Sequence, residues 1–200
     1  MKKLNILVKR LVLASLMLFA GTSMFAQTID LNPNSKGIQI QESTFKGFES
    51  TFSFNSIETT KVSTEAGDFS VLSIAKTVNN GELGAPALPI ARELVAVPFG
   101  ATPVVKIVSY TTTDYQLSDY GIERVYPQQP SYSKDTKVED MVFQYNEKAY
   151  QTRSLGNAPE VSLNVMGTMR GVQLGALQVE PVSYNPANNT LRVYNDIELE

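Results

Sequence analysis

RGVQLGALQVEPVSYNPANNTLRVYNDIELE, residues 170–200, is the stretch on which the fold can be read. Residues 170–179, 182–184 and 190–200 read as strands. In the last of these, Ile197 and Leu199 alternate with Asp196, Glu198 and Glu200. That is the period of two a half-buried strand requires, because successive side chains leave opposite faces. Between the second and third strands, Asn185-Pro186-Ala187-Asn188-Asn189 is built from residues that preset or tolerate turn dihedrals, and it reads as a hairpin turn.

The same rhythm continues upstream. Phe48, Phe52 and Phe54 mark a strand region in which Thr51-Phe52-Ser53-Phe54 alternates polar and apolar. Residues 57–62 and 69–74, divided by Ala66-Gly67-Asp68, read as a hairpin. Residues 94–97, 104–110, 141–145 and 161–167 read as further strands, and 146–153 as a short helix. Residues 79–92 interrupt the pattern, since Gly81, Gly84, Pro86 and Pro89 argue against a central strand. Residues 111–121 are polar and Tyr-rich, and 127–140 are charged, aperiodic and Pro-containing, an exposed loop. Short strands at about ten-residue spacing predict an all-β fold over residues 45–200, an antiparallel β-sandwich of jelly-roll type with one or two short helices. No internal repeat of about 20–50 residues points to a propeller or solenoid. Residues 27–44 are polar and read as a flexible leader. Residue 200 falls inside an alternating strand, so more chain is expected beyond it.

The first 26 residues read as an export signal. Lys2, Lys3, Lys9 and Arg10 precede an apolar run over 11–20, shorter than the roughly 20 residues that span a bilayer. Ser23-Met24-Phe25-Ala26 then leads to Gln27, which places cleavage between Ala26 and Gln27. A membrane anchor would need a longer run, and no later segment is apolar enough to cross a membrane, so no membrane association is expected once the signal is removed. Losing four basic and no acidic residues turns a formal charge of −3 into −7. An acidic surface disfavours polyanions, and no basic stripe with interleaved aromatics points to nucleic acid.

The chain contains no Cys, His or Trp. Thiol catalysis lacks its nucleophile, a Ser-His-Asp relay lacks its base, and catalytic zinc lacks its usual ligands. No phosphate-binding glycine loop is present. Catalytic residues and a metal site are therefore not expected. Glu139 and Asp140 are adjacent and read as solvated loop charges. No cofactor is expected; Asp114, Asp119 and Glu123 are the carboxylates a loop calcium would use, although their spacing matches no EF-hand loop. Tyr110, Tyr115, Tyr120 and Tyr126 recur every five or six residues and offer either sugar stacking or ordinary packing with hydroxyls at the rim.

Several motifs carry a family resemblance. Gly84-Ala85-Pro86-Ala87-Leu88-Pro89 followed by Leu94-Val95-Ala96-Val97-Pro98 resembles the amino-terminal pro-domain of the gingipain family of secreted cysteine endopeptidases. So do Pro98-Phe99-Gly100-Ala101-Thr102-Pro103-Val104-Val105, Met166-Gly167-Thr168-Met169-Arg170-Gly171-Val172, and Pro181-Val182-Ser183-Tyr184-Asn185-Pro186 with Thr190-Leu191-Arg192-Val193-Tyr194. The resemblance covers about residues 40–200. Residues 48–55 and 166–172 are most similar to the lysine-specific branch.

The resemblance implies a signal peptide, a β-sandwich pro-domain and a downstream caspase-like catalytic domain that supplies the missing Cys and His. It implies export through the periplasm and the type IX system, to the medium or the cell surface. The pro-domain would be an intramolecular inhibitor and folding aid until proteolysis removes it. Its partner would be the cognate catalytic domain. In such precursors a pro-domain loop offers a basic side chain to the specificity pocket, where a carboxylate makes charge-assisted bonds to it. Residues 127–140 form the long, aperiodic segment this needs. Within it Lys134 matches the family's plug residue, framed by Pro127, Pro130, Ser131, Tyr132, Ser133 and Asp135; Lys137 and Arg124 are the neighbouring cations. A second reading stays open: a secreted β-sandwich module that binds carbohydrate or another ligand through the Tyr-rich segment.

Overall fold

The computed structural model describes residues 27–44 and 46–200. The signal segment, Ala26 and Phe45 lie outside the described residues; Gln27 is the first of them.

Twelve strands carry the described chain: β1 (Gln27–Asp30), β2 (Ile38–Thr44), β3 (Gly47–Phe52), β4 (Ser56–Thr64), β5 (Gly67–Ser73), β6 (Thr77–Asn80), β7 (Leu88–Val97), β8 (Ile107–Gln116), β9 (Glu160–Met169), β10 (Val172–Glu180), β11 (Val182–Asn185) and β12 (Thr190–Leu199). They form three antiparallel sheets, ordered β1-β4-β5, β6-β7-β10-β9 and β11-β12-β3-β2, with β8 also paired to β12. The all-β antiparallel expectation holds. Helical structure among the described residues is confined to single 3-10 turns at Leu117–Tyr120, Val138–Asp140 and Ala149–Gln151.

Alternation along the strands builds one core. Ile57 of β4, Leu72 of β5, Leu177 of β10, Leu191 and Ile197 of β12 and Phe52 of β3 all meet in it, fully or almost fully buried. Burying each such side chain is worth about 1.5–3 kcal/mol relative to leaving it in water. The pairing of β12 with β8 shifts register between Asn195 and Glu198. Asp196 there takes φ +47°, a left-handed value that costs a non-glycine residue energy, while Asn195 is buried in phase with Val193 and Ile197. The Asn195 side chain then replaces a strand neighbour: its Oδ1 accepts from Phe54 N–H at 2.7 Å and its Nδ2 donates to Phe54 C=O at 2.8 Å.

Five expectations need correction. Residues 27–44 are not a loose leader: β1 pairs with β4 in register Ile29↔Ile57, and Ile29 is 0% exposed. Four residues with one apolar anchor are too short to show a period. Pro89 lies inside β7, paired with Asn79 of β6. It is the second residue of that strand, near the start, where a missing N–H is tolerated. Residues 111–116, set aside as polar, complete β8 as a solvent-facing strand on β12. Residues 141–145 form no strand, and the helix expected over 146–153 shrinks to the turn at Ala149–Gln151. The 56–73 and 182–199 hairpins fall where their turn residues place them.

Candidate inhibitory loop

The segment between Val125 and Tyr150 leaves and re-enters the body of the domain on a braced stem. Val125 is buried and its neighbours join β5: Ser70 N–H donates to Arg124 C=O, and Tyr126 N–H donates to Ser70 C=O, both at 2.8 Å. The Gly84-Ala85-Pro86-Ala87 motif then lies between the two arms. Gly84 N–H donates to Gln128 C=O at 2.9 Å, Gln128 N–H to Ala85 C=O at 2.8 Å, and Ala87 N–H to Tyr126 C=O at 2.9 Å. On the other side Asn146 N–H donates to Gly84 C=O at 3.0 Å. Gly84 has φ +78°, and a Cβ there would stand 2.9 Å from Asn146 N, so the motif needs glycine for both conformation and approach.

Aromatic packing supports the stem from beneath. The rings of Phe69, Tyr126, Phe143, Tyr145 and Tyr150 form an edge-to-face and tilted cluster with centroids 4.9–6.2 Å apart. Tyr150 is 8% exposed, donates to Val125 C=O at 2.6 Å, and burial holds its hydroxyl far above its ordinary pKa. Arg124 is not a loop cation. Its guanidinium lies 4.3 Å from the Phe69 ring centroid, and Nη2 donates to Ala66 C=O at 2.9 Å.

Above the stem the loop opens to solvent. Pro127 is buried and bridged to Pro86, so the exposed part begins later than expected. Pro130 is half-buried; Ser131, Tyr132, Ser133, Lys134 and Asp135 are exposed. Thr136 N–H donates to Ser133 C=O at 3.1 Å, closing a β-turn whose central residues are Lys134 and Asp135. Lys134 thus stands at the outer corner of the turn with no ion pair among the described residues, whereas Lys137 meets Glu139 at 3.4 Å. The arms are tied by Tyr132 Oη donating to Val142 C=O at 3.0 Å, and by Gln129. The Gln129 amide accepts from Gln144 N–H and donates to Gln144 C=O, each at 2.9 Å, and also donates to Pro127 C=O at 3.1 Å. Nothing in the sequence marks Gln129, because its spacing from Gln144 carries no signal until the fold sets the arms side by side.

The other candidates are dispersed. Asp114 is held by Arg192 through two bonds of 2.7 and 2.8 Å, which lower its carboxyl pKa, and no group of three His, Cys, Asp or Glu gathers among the described residues. Tyr110 packs edge-on against Tyr194, Tyr115 against Tyr120, and Tyr126 joins the Phe69 cluster, so the four tyrosines share no flat face. A shallow 720 Å³ groove lined by Phe48, Val97, Val105 and Leu177 includes no loop residue.

Fold and loop define a class of protein: a small antiparallel β domain that presents a basic turn on a braced stem. Comparison places it more narrowly. The chain belongs to the Propeptide_C25 family, which matches residues 26–200, as a pro-domain of gingipain type. It is 41% identical over 192 residues to Lys-gingipain of Porphyromonas gingivalis (strain ATCC 33277), covering 95% of this chain and 11% of that protein. Gingipain R1 of the same species is 26% identical over 200 residues, 98% of this chain and 19% of that one. The chain thus spans about a tenth of the length of the Lys-gingipains it matches. Among solved structures, one from a study of the zymogenic latency of P. gingivalis gingipain K superposes with a TM-score of 0.81 at 39% identity, over 88% of this chain and 96% of that one. A complex of the P. gingivalis RgpB pro- and mature domains superposes with a TM-score of 0.69 at 22% identity, over 83% and 84%, a likeness of fold.

Proposed function

We propose that this chain is the pro-domain of an exported gingipain-like cysteine endopeptidase, and that it keeps the caspase-like catalytic domain of its precursor latent until proteolysis removes it. Lys134 enters the basic-specificity pocket, where its ammonium makes a charge-assisted contact with a pocket carboxylate. The observation that supports this reading is the position of Lys134, exposed at the corner of a β-turn with no ion pair among the described residues, on a stem braced from both arms. A cleft binder must be reachable and must hold its shape, and this loop combines the two. Folding assistance follows from the same contact, since a domain that binds the native enzyme and not its unfolded chain shifts the folding equilibrium of the enzyme. Residues 1–26 direct export and are cleaved at Ala26–Gln27, after which the chain passes through the periplasm to the type IX route.

The test is inhibition in trans. Purified residues 27–200 are titrated against the catalytic domain of the same precursor, and residual peptidase activity is read. Inhibition is expected, though weaker than latency within one chain, where linkage raises the effective concentration. No inhibition by a folded domain would sink the reading.

A further inference from the structure

The Lys134 turn lies beyond the last backbone bonds that tie the loop arms to the Gly84 motif. Backbone bonds to the Gly84 motif end at Gln128 on the outgoing arm and Asn146 on the return arm. Beyond them the Ser133–Thr136 and Tyr132–Val142 bonds join exposed groups, which trade partners with water at little cost. Gln129 lies between these two levels and is half-buried. A primary amide carries both an acceptor and donors, as a peptide group does. Here it uses them as a strand neighbour would, accepting from Gln144 N–H and donating to Gln144 C=O, with a further bond to Pro127 C=O. Glu could accept but not donate, and Asn is one methylene shorter.

We propose that Gln129 is a positioning residue: its side chain stands in for a missing strand pair and sets the Lys134 turn before the enzyme arrives. The idea rests on the inhibitory reading of the loop and deepens it. A loop ordered in advance loses less conformational entropy on binding, so its affinity is higher for the same contacts. Gln129 itself touches no partner in this account.

The experiment uses residues 27–200, which carry the core described above, with Gln129→Met (similar length, no polar atoms) and Gln129→Ala. Three quantities are read: hydrogen exchange at the Gln144 amide, trypsin nicking after Lys134 in the free domain, and the inhibition constant against the catalytic domain. Both variants should melt close to the parent. Both should lose protection at Gln144, be nicked about tenfold faster and inhibit about tenfold less well, chiefly through slower association. Unchanged exchange and nicking in both variants would overturn the positioning role, whatever inhibition does. So would intact inhibition by Gln129→Met alongside weakened inhibition by Lys134→Ala. If the loop loosens as expected but neither Gln129→Met nor Lys134→Ala alters inhibition, the positioning role stands and the inhibitory reading of the loop falls.

Discussion

Replacing Arg124 by Ala separates a cation that supports the loop from one that acts through it. Arg124 lies four residues before the loop stem turns outward at Gln128, and on sequence it competes with Lys134 as the basic plug. In the structure its guanidinium stacks on Phe69 at 4.3 Å, fills the space that Gly67 leaves at φ +106°, and donates to Ala66 C=O at 2.9 Å. A partly desolvated cation–π contact is worth about 1 kcal/mol. A hydrogen bond from a charged donor is worth about 1.5–3 kcal/mol. Allowing for overlap between the two, Arg124→Ala should cost about 2–4 kcal/mol of stability. At roughly 2–4 °C per kcal/mol for a domain of this size, Tm should fall by about 5–15 °C. Arg124→Lys keeps the charge but not the planar stack, and should fall in between. The assay is thermal and urea unfolding of residues 27–200 with Lys134→Ala in parallel, whose melt should match the parent. If Arg124→Ala melts like the parent and also fails to inhibit, Arg124 is the plug and the strut assignment is wrong.

Two further outcomes follow from the packing and the charges. Ile29→Ala should cost about 2–5 kcal/mol, as for other buried Ile or Leu truncations, whereas Ile40→Ala in β2, with an exposed side chain, should change little; equal melts for the two would put β1 outside the core. Glu180 has its carboxyl pKa raised above the ordinary 4.5, first by burial and then by Glu160, its direct partner across β9 and β10. A raised acid pKa means the folded state holds the proton more tightly, so this stabilising contribution is present below pH 4.5 and is lost as pH rises through the folded value. Glu180→Gln should therefore raise Tm at neutral pH and leave it nearly unchanged in acid, and a uniform shift across the pH series would contradict this assignment.

How much of this was legible in the sequence depended on the range of the forces involved. The 56–73 and 182–199 hairpins were legible because turn and strands lie within one window: Ala66-Gly67 and Pro186–Asn189 mark the reversals, and alternation marks the faces. β1 was not, because Ile29 is specified by Ile57, 28 residues away, rather than by its neighbours. Pro89 does not interrupt β7 because it stands near the strand's start, where a missing N–H is tolerated. β8 was half seen, since a strand packed on β12 with most side chains in solvent carries little alternation. The loop announced itself by lacking a period, and Lys134 by resemblance. Its stem leaves no sequence signal, because Gly84 meets Gln128 and Asn146, and Gln129 meets Gln144, only once the fold has set residues 84–87 between the arms.

The inhibition constant of Lys134→Ala, measured beside Lys137→Ala against the catalytic domain of the same precursor, tests the central claim most directly. Lys134 faces solvent with no ion pair among the described residues, so its removal should leave the melt unchanged and act on binding alone. Truncating one partner of a desolvated charge pair typically costs about 2–5 kcal/mol, so Lys134→Ala should inhibit roughly 30-fold or more weakly than the parent. Lys137, already paired with Glu139 at the surface, should change inhibition by a few-fold at most. Lys134→Ala inhibiting as well as the parent would contradict the account, and the latency of the precursor would then have to come from steric cover or from another residue.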